Sequence, residues 1–218
     1  MTGMIIKLQN SEDTFQTGKI FCIGRNYAKH AKELGNSVPE KPVVFMKSKN
    51  ALVSEGTKIT IPSHGKELHH EAELVILIGK GGKEISESEA GKHIAGFGIG
   101  LDLTLRDVQA ELKSKGLPWE TAKAFDGSAP IGTFVKSVSE IKDLTIKCFV
   151  NDQLRQDGKC SDMIYSVPFI ISYLSTIFTL DPGDLIFTGT PDGVGPLISG
   201  DRIIVEISEI GVMEYEVE

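Results

Sequence analysis

Three acidic residues stand where acids are expensive. Glu71 and Glu73 open the apolar run EAELVILIG, and Asp102 lies near the close of the glycine-spaced run that ends GIGLDL. A carboxylate in or beside an apolar strand needs a compensating partner. Two of them at positions i and i+2 of a strand share a face, and a third from a separate strand lets the set converge on one hard cation. Oxygen-only ligation favours Mg²⁺ or Mn²⁺ over Zn²⁺. The same Glu-x-Glu spacing also suits a strand with one wet face, whose acids meet only solvent. His69 and His70 precede the acids and raise the question of zinc. Neither HExxH nor a Cys/His spacing accompanies them, so they read as support for the ligands or as packing. His30 and Glu33, three residues apart, share one face of a short predicted helix. A carboxylate that orients an imidazole and stabilises its protonated form suits a general base acting on water. A surface ion pair is the plainer use of the same two residues.

The elements that would carry these groups follow from pattern. Strands are expected at Ile5 to Gln9, Lys19 to Ile23, Val43 to Met46, Lys58 to Ile61 and Glu71 to Gly79. Asn26 is the expected N-cap of a helix over Tyr27 to Leu34 that Gly35 would end. Ser86 to His93 suggests a brief helix, and Ile94 to Leu103 a buried strand whose glycines let another backbone approach. Thr104 reads as the cap of a helix to Lys115, with Gly116 as its stop. Lys147 to Asp152 and Gln153 to Gln156 form a hairpin pattern. Ser166-Val167-Pro168 opens the longest helix, which runs to Phe178, because proline is tolerated in a first turn. Asp184 to Glu218 reads as strands joined by Gly/Pro/Asp turns. No repeat, low-complexity tract or linker interrupts the pattern, so one strand-rich α+β domain over residues 1–218 is expected.

Composition narrows the partners. The chain has 218 residues, 40% hydrophobic and 24% charged, the balance of a folded globular protein. Its formal net charge of −7 argues against nonspecific attraction to nucleic acid or anionic lipid, which leaves a small molecule as the better partner. If that molecule is an anion, local positive charge must overcome the acidic average. Cys22, Cys148 and Cys160 are odd in number and show no CxxC spacing, as expected of buried thiols in a reducing compartment. Met1 to Lys7 lacks the basic and apolar regions of a secretion signal, and no run reaches membrane-spanning length. A cytoplasmic location is the expectation.

Five segments in order, GRNYAKHAKELG, HHEAELVILIG, GLDLTLRDVQ, KGLPWETAKAFDGSAPIG and TGTPDGVG, resemble the fumarylacetoacetate hydrolase family. The likeness runs from about residue 19 to the C-terminus and is strongest to the short acylpyruvase and oxaloacetate decarboxylase branch. It implies a mixed β-sandwich roll with a few short helices, and a homodimer. It also implies that Glu71, Glu73 and Asp102 ligate Mg²⁺ or Mn²⁺, and that His30 and Glu33 form a catalytic dyad. Lys123 matches the family's active-site lysine, while Arg106, Gln109, Thr190 and Arg25 match or neighbour substrate-contact positions. Ala129 and Thr133 stand where the family more often has Cys and Pro, a departure that touches pocket shape. The implied activity is cleavage of a small 2-keto acid through an enolpyruvate intermediate, by acylpyruvate hydrolysis or oxaloacetate decarboxylation. Keto–enol tautomerisation or isomerisation of related acids is an alternative. So is a noncatalytic keto-acid binder, although a binder has no need of His30, Glu33 and Lys123 together.

Overall fold

A run as apolar as Leu74-Val75-Ile76-Leu77-Ile78 is best placed with both edges paired and both faces covered. In the computed structural model, which describes residues 4–33, 35 and 39–218, Ala72–Ile78 is buried throughout. It pairs antiparallel with Ile94–Leu101 on one side and with Leu185–Phe187 on the other. These three strands are the centre of a seven-stranded mixed sheet. Ile20–Gly24 and Val43–Lys47 extend it beyond Leu185–Phe187, and Ala129–Val135 and Leu52–Ser54 extend it beyond Ile94–Leu101. The pairs Leu185–Phe187 with Ile20–Gly24 and Ala129–Val135 with Leu52–Ser54 are parallel.

Alternation along the central strand sorts its side chains into two cores. Leu74, Ile76 and Ile78 pack with Ile146, Cys148, Ile203 and Val205, which belong to a four-stranded antiparallel sheet laid across that face. Val75 and Leu77 pack on the other face with Cys22, Phe187 and Ile6, the last from a two-stranded N-terminal ribbon. Glu73 has the same parity as Val75 and Leu77. A three-stranded sheet of Gly195–Leu197, Leu68–His70 and Thr104–Leu105 closes the end where the acids emerge. Four short helices complete the described residues: α1 (Ala28–Glu33), α2 (Arg106–Ser114), α3 (Glu120–Lys123) and α4 (Val167–Ile177). The fold is the strand-rich α+β arrangement anticipated from the sequence.

Local chemistry explains where elements depart from their patterns. Asn26 does not cap α1. Its side-chain amide donates to the carbonyls of Tyr165 (3.0 Å) and Thr188 (2.8 Å), and its oxygen accepts from the Tyr165 amide (2.7 Å), so it ties two distant segments together. The expected helix end at Leu34 lies outside the described residues. Gly35 has the left-handed φ of +66° and returns its amide to the Lys32 carbonyl, as a helix stop would. Thr104 does not cap α2 either. It pairs with His69 in the small sheet and donates its hydroxyl to the Asp102 carbonyl, so α2 begins only at Arg106. Lys58 to Ile61 forms no strand, only an isolated bridge at Ile59, and the helix expected from Ser86 is a single 3-10 turn at Ala90–His93. Ser166 does cap α4, accepting from the Phe169 amide at 3.3 Å.

Candidate active site

Two strand ends deliver the acids. Glu71 occupies the break between Leu68–His70 and Ala72–Ile78, Glu73 lies inside the latter, and Asp102 follows directly on Ile94–Leu101. The Asp102 amide donates to the Glu71 carbonyl at 2.8 Å, which fixes the two backbones against each other. One carboxylate oxygen from each of Glu71, Glu73 and Asp102 lies within 4.8 Å of the others. The residues are only 5%, 2% and 2% exposed, so the wet-face alternative for Glu-x-Glu does not describe this strand.

Their compensation is uneven. Lys123 Nζ donates to Glu71 Oε2 (2.8 Å) and Asp102 Oδ2 (2.7 Å). Arg106 pairs with Glu71 Oε1 (2.5 Å) and donates through its second terminal nitrogen to Gln109 Oε1 (2.7 Å). Lys47 Nζ stands 2.8 Å from Asp102 Oδ1, close enough to pair by charge but misaligned for a hydrogen bond. It donates instead to the Lys123 carbonyl and to Ser128 Oγ. Glu73 receives a single hydrogen bond, from the Gly189 amide at 2.8 Å. Two glutamates two residues apart therefore behave oppositely. Burial would raise the Glu71 carboxyl, but Lys123 and Arg106 override it and hold the group well below the usual carboxylate range. Burial, then the charges of Asp102 and Glu71, push Glu73 well above that range. Burial disfavours the Lys123 ammonium, yet Asp102 and Glu71 outweigh it and keep the charge in place. Three convergent oxygen donors, one of them short of positive charge, suit a hard divalent cation, and the site fits one.

His30 is buried, with Nδ1 3.4 Å from Glu33 Oε2, and Glu33 accepts from the Gly193 amide at 3.1 and 3.2 Å. Burial lowers the imidazole below its ordinary range despite the opposing pull of Glu71 and Glu33. Glu33 is placed to orient His30 and favours its protonated form, as expected of a carboxylate, but burial outweighs that pull.

A narrow cleft of about 40 Å³ gathers Arg25, His30, Glu71, Arg106, Gln109 and Lys123, with Phe45 and Trp119 as aromatic walls and Lys113 on α2. Thr190 is not brought to that lining. Its hydroxyl donates to the Ala72 carbonyl (2.8 Å) and accepts from Gln156 Nε2 (2.7 Å). His70 faces Gln156 rather than the acids, with Nδ1 3.0 Å from Oε1. Wider grooves elsewhere, such as the one between the N-terminal ribbon and Ala129–Val135, bring no comparable set of charged groups together.

Sequence reasoning missed Lys47, Gln156 and the amides of Gly189 and Gly193. Lys47 ends an apolar strand, a position that gives no sign that the ammonium turns inward. Gln156 sits in a polar hairpin and had no signal at all, although its amide also accepts from the Ala72 amide between the two glutamates. The glycines were visible only as a turn, TGTPDGVG.

A profile of the fumarylacetoacetate (FAA) hydrolase C-terminal family matches residues 19–218. The chain belongs to that family. Among its FAA hydrolase relatives, the mitochondrial oxaloacetate tautomerase of Mus musculus is 46% identical over 201 residues, 91% of each chain. The oxaloacetate tautomerase of Escherichia coli is 46% identical over 194 residues, 88% of this chain and 89% of that one. A crystal structure of fumarylpyruvate hydrolase from Pseudomonas aeruginosa, in complex with Mn²⁺ and pyruvate, superposes with a TM-score of 0.95. It is 38% identical and covers 100% of this chain and 96% of its own. No helix among the described residues is long and apolar enough to cross a membrane.

Proposed function

We propose that this FAA hydrolase family member holds a divalent cation through Glu71, Glu73 and Asp102 and interconverts the keto and enol forms of oxaloacetate. The observation that carries the reading is the buried acid triad, whose Glu71 lines a cleft together with His30 and Lys123. The relatives named as oxaloacetate tautomerases, at 46% identity, supply the substrate. Bound Mg²⁺ or Mn²⁺ would supply Lewis-acid polarisation of the keto group.

The chain's own groups do the rest. With Nδ1–H turned to Glu33, His30 presents the lone pair of Nε2, and its burial keeps that lone pair free of a proton near neutral pH. The imidazole takes a proton from C3, the C–H electron pair becomes the C2–C3 double bond, and the oxygen on C2 gains the negative charge. Lys123, an ammonium in a buried site, stabilises that oxygen. Return of a proton to the oxygen gives the enol, and the reverse sequence gives the ketone. Phe45 and Trp119 wall the cleft, limiting the water that competes for these charges.

The test follows the enol absorbance of oxaloacetate as it equilibrates, with protein depleted of metal by chelation and then reloaded with Mg²⁺ or Mn²⁺. Acceleration above the metal-only background that vanishes on chelation is expected. No acceleration under either condition would refute the proposal. Acylpyruvate hydrolysis is the second reading, favoured by the likeness to fumarylpyruvate hydrolase. It asks His30 to activate water rather than to take a carbon-bound proton. A panel of oxaloacetate, acetylpyruvate and fumarylpyruvate, scored for both tautomerisation and cleavage, separates the two.

A further inference from the structure

The central strand loses a neighbour just where its acids begin. Leu185–Phe187 pairs with it from Val75 to Leu77, and the contact ends with the Thr188 amide on the Leu74 carbonyl. Ala72, the residue between Glu71 and Glu73, is served on that edge by side chains instead. Gln156, on the strand Gln153–Lys159, accepts from the Ala72 amide at 3.1 Å, and Thr190 donates to the Ala72 carbonyl at 2.8 Å. Gln156 Nε2 donates in turn to Thr190 Oγ1 at 2.7 Å. The three bonds form a directed ring on the two peptide units that join Glu71 to Glu73, an arrangement in which each bond polarises the next.

The same amide reaches further. Its second N–H goes to the Pro191 carbonyl at 2.9 Å, and His70 Nδ1 stands 3.0 Å from its oxygen. A carbonyl can only accept and a backbone amide only donate, so Pro191 and Ala72 fix which way the Gln156 amide points. The side chain is wholly buried with all four hydrogen-bonding positions used. Satisfying one strand edge needs a single acceptor; the reach to Thr190 and Pro191 couples that edge to a loop. Residues 189–193 of this loop give the Gly189 amide to Glu73 and the Gly193 amide to Glu33, and Gln156 grips the two residues after Gly189. The strand bearing Gln156 lies tight against the loop, since a side chain on Gly158 would collide with Pro191 and one on Gly193 with the Arg155 carbonyl.

We propose that Gln156 is a positioning residue, which sets Glu71 and Glu73 relative to each other for a divalent cation and, through residues 189–193, holds Glu33 in place for His30. It touches no reacting atom. The inference rests on the reading above at one point, the cation at the acid triad, and is independent of the reaction assigned there.

Gln156→Met keeps the length of the side chain and removes its hydrogen bonds. Mn²⁺ affinity, followed by electron paramagnetic resonance, should fall roughly tenfold, the scale on which groups supporting metal ligands act. In metal-free protein, amide hydrogen exchange at Gly189 and Gly193 should quicken by more than at Ile78 in the central strand. Thr190→Val opens the ring but leaves Gln156 its other bonds, and guards against a Gln156 variant that misfolds. It should move both readouts the same way by less, and the double variant should fall short of the sum of the two. Tyr215→Phe is the control: it removes buried hydrogen bonds to the Val53 and Ile131 carbonyls, at the Leu52–Ser54 edge of the large sheet, and should leave Mn²⁺ affinity unchanged. If Gln156→Met and Thr190→Val lower the melting temperature without altering Mn²⁺ affinity, or if exchange quickens evenly across the sheet, Gln156 is structural and the proposal is overturned. Should wild type bind no Mn²⁺, the inference falls with the cation reading. A Gln156-dependent Mn²⁺ affinity without tautomerisation would remove the reaction and leave the positioning role standing.

Discussion

The acid triad and the His30–Glu33 pair meet at one cleft, through Glu71 and His30, but are built in opposite ways. The triad grows from the centre of the largest sheet, on strands paired on both edges and packed on both faces, with an amide-to-carbonyl bond between the acids' own backbones. The pair rides on α1, a helix of six residues, too short to hold itself together in water. What holds it is borrowed: Asn26 bonded to Tyr165 and Thr188, the Tyr165 hydroxyl on the Pro39 carbonyl, and the Gly193 amide on Glu33. Charges that repel one another need a frame that cannot relax around them. A group that only takes and returns a proton can be held from its ends.

Removing one acid is the harshest break of that contrast. Glu73→Gln should cut the proposed activity by roughly 10²–10³-fold and abolish Mn²⁺ binding followed by electron paramagnetic resonance. Thermal melts of the metal-free protein should show no loss of stability, because the substitution removes one of three mutually repelling carboxylates from a buried site. A large fall in melting temperature would mean that Glu73 is structural rather than a held charge. His30→Ala should lower turnover by roughly 10²–10⁴-fold while Mn²⁺ still binds, since the imidazole is not among the oxygen donors. It should also damage acylpyruvate hydrolysis more than oxaloacetate decarboxylation if the chain performs both, and equal losses would argue against a water-activating role.

Asn26→Ala sharpens the other side. It leaves the half-buried Tyr165 amide and two carbonyls unpaired, a loss of about 1–3 kcal/mol, and urea melts should detect it together with a rise in KM. The mildest change is Glu33→Gln. A neutral His30 is needed, so activity falls as pH drops through its lowered pKa. Glu33 opposes that lowering, and removing its charge should move the acidic limb of the pH–rate profile to still lower pH. A limb that stays in place would separate the dyad. The sign for stability is the same: the unfolded imidazole takes up a proton first, so the fold loses stability as pH falls below the ordinary imidazole range.

Much of this was legible in sequence because strands announce their faces. The alternation of Leu74, Ile76 and Ile78 against Val75 and Leu77 foretold a strand, and the acids at its mouth were conspicuous by their company. The order of the segments supplied the fold. Side chains that reach across from other layers were not legible. Lys47 follows four apolar residues in a way any surface lysine could, and Gln156 lies 84 residues along the chain from the amide it accepts from. Local pattern also misassigned Asn26 and Thr104, both good caps by residue type, because each had a more distant or less regular partner to satisfy. Thr190 shows the limit of matching a motif: the hydroxyl is where the turn predicts, but its bonds go to Ala72 and Gln156.

The Gly193 amide that meets Glu33 lies where a side chain cannot follow. Its φ is +94°, and a methyl group there would collide with the carbonyl oxygen of Arg155 in the hairpin next to it. Anyone redesigning that hairpin, even on its outer surface, would be moving the floor on which the imidazole's partner stands. Loop grafts intended to alter solubility or assembly at this corner should be screened for altered proton-transfer rates before they are judged harmless.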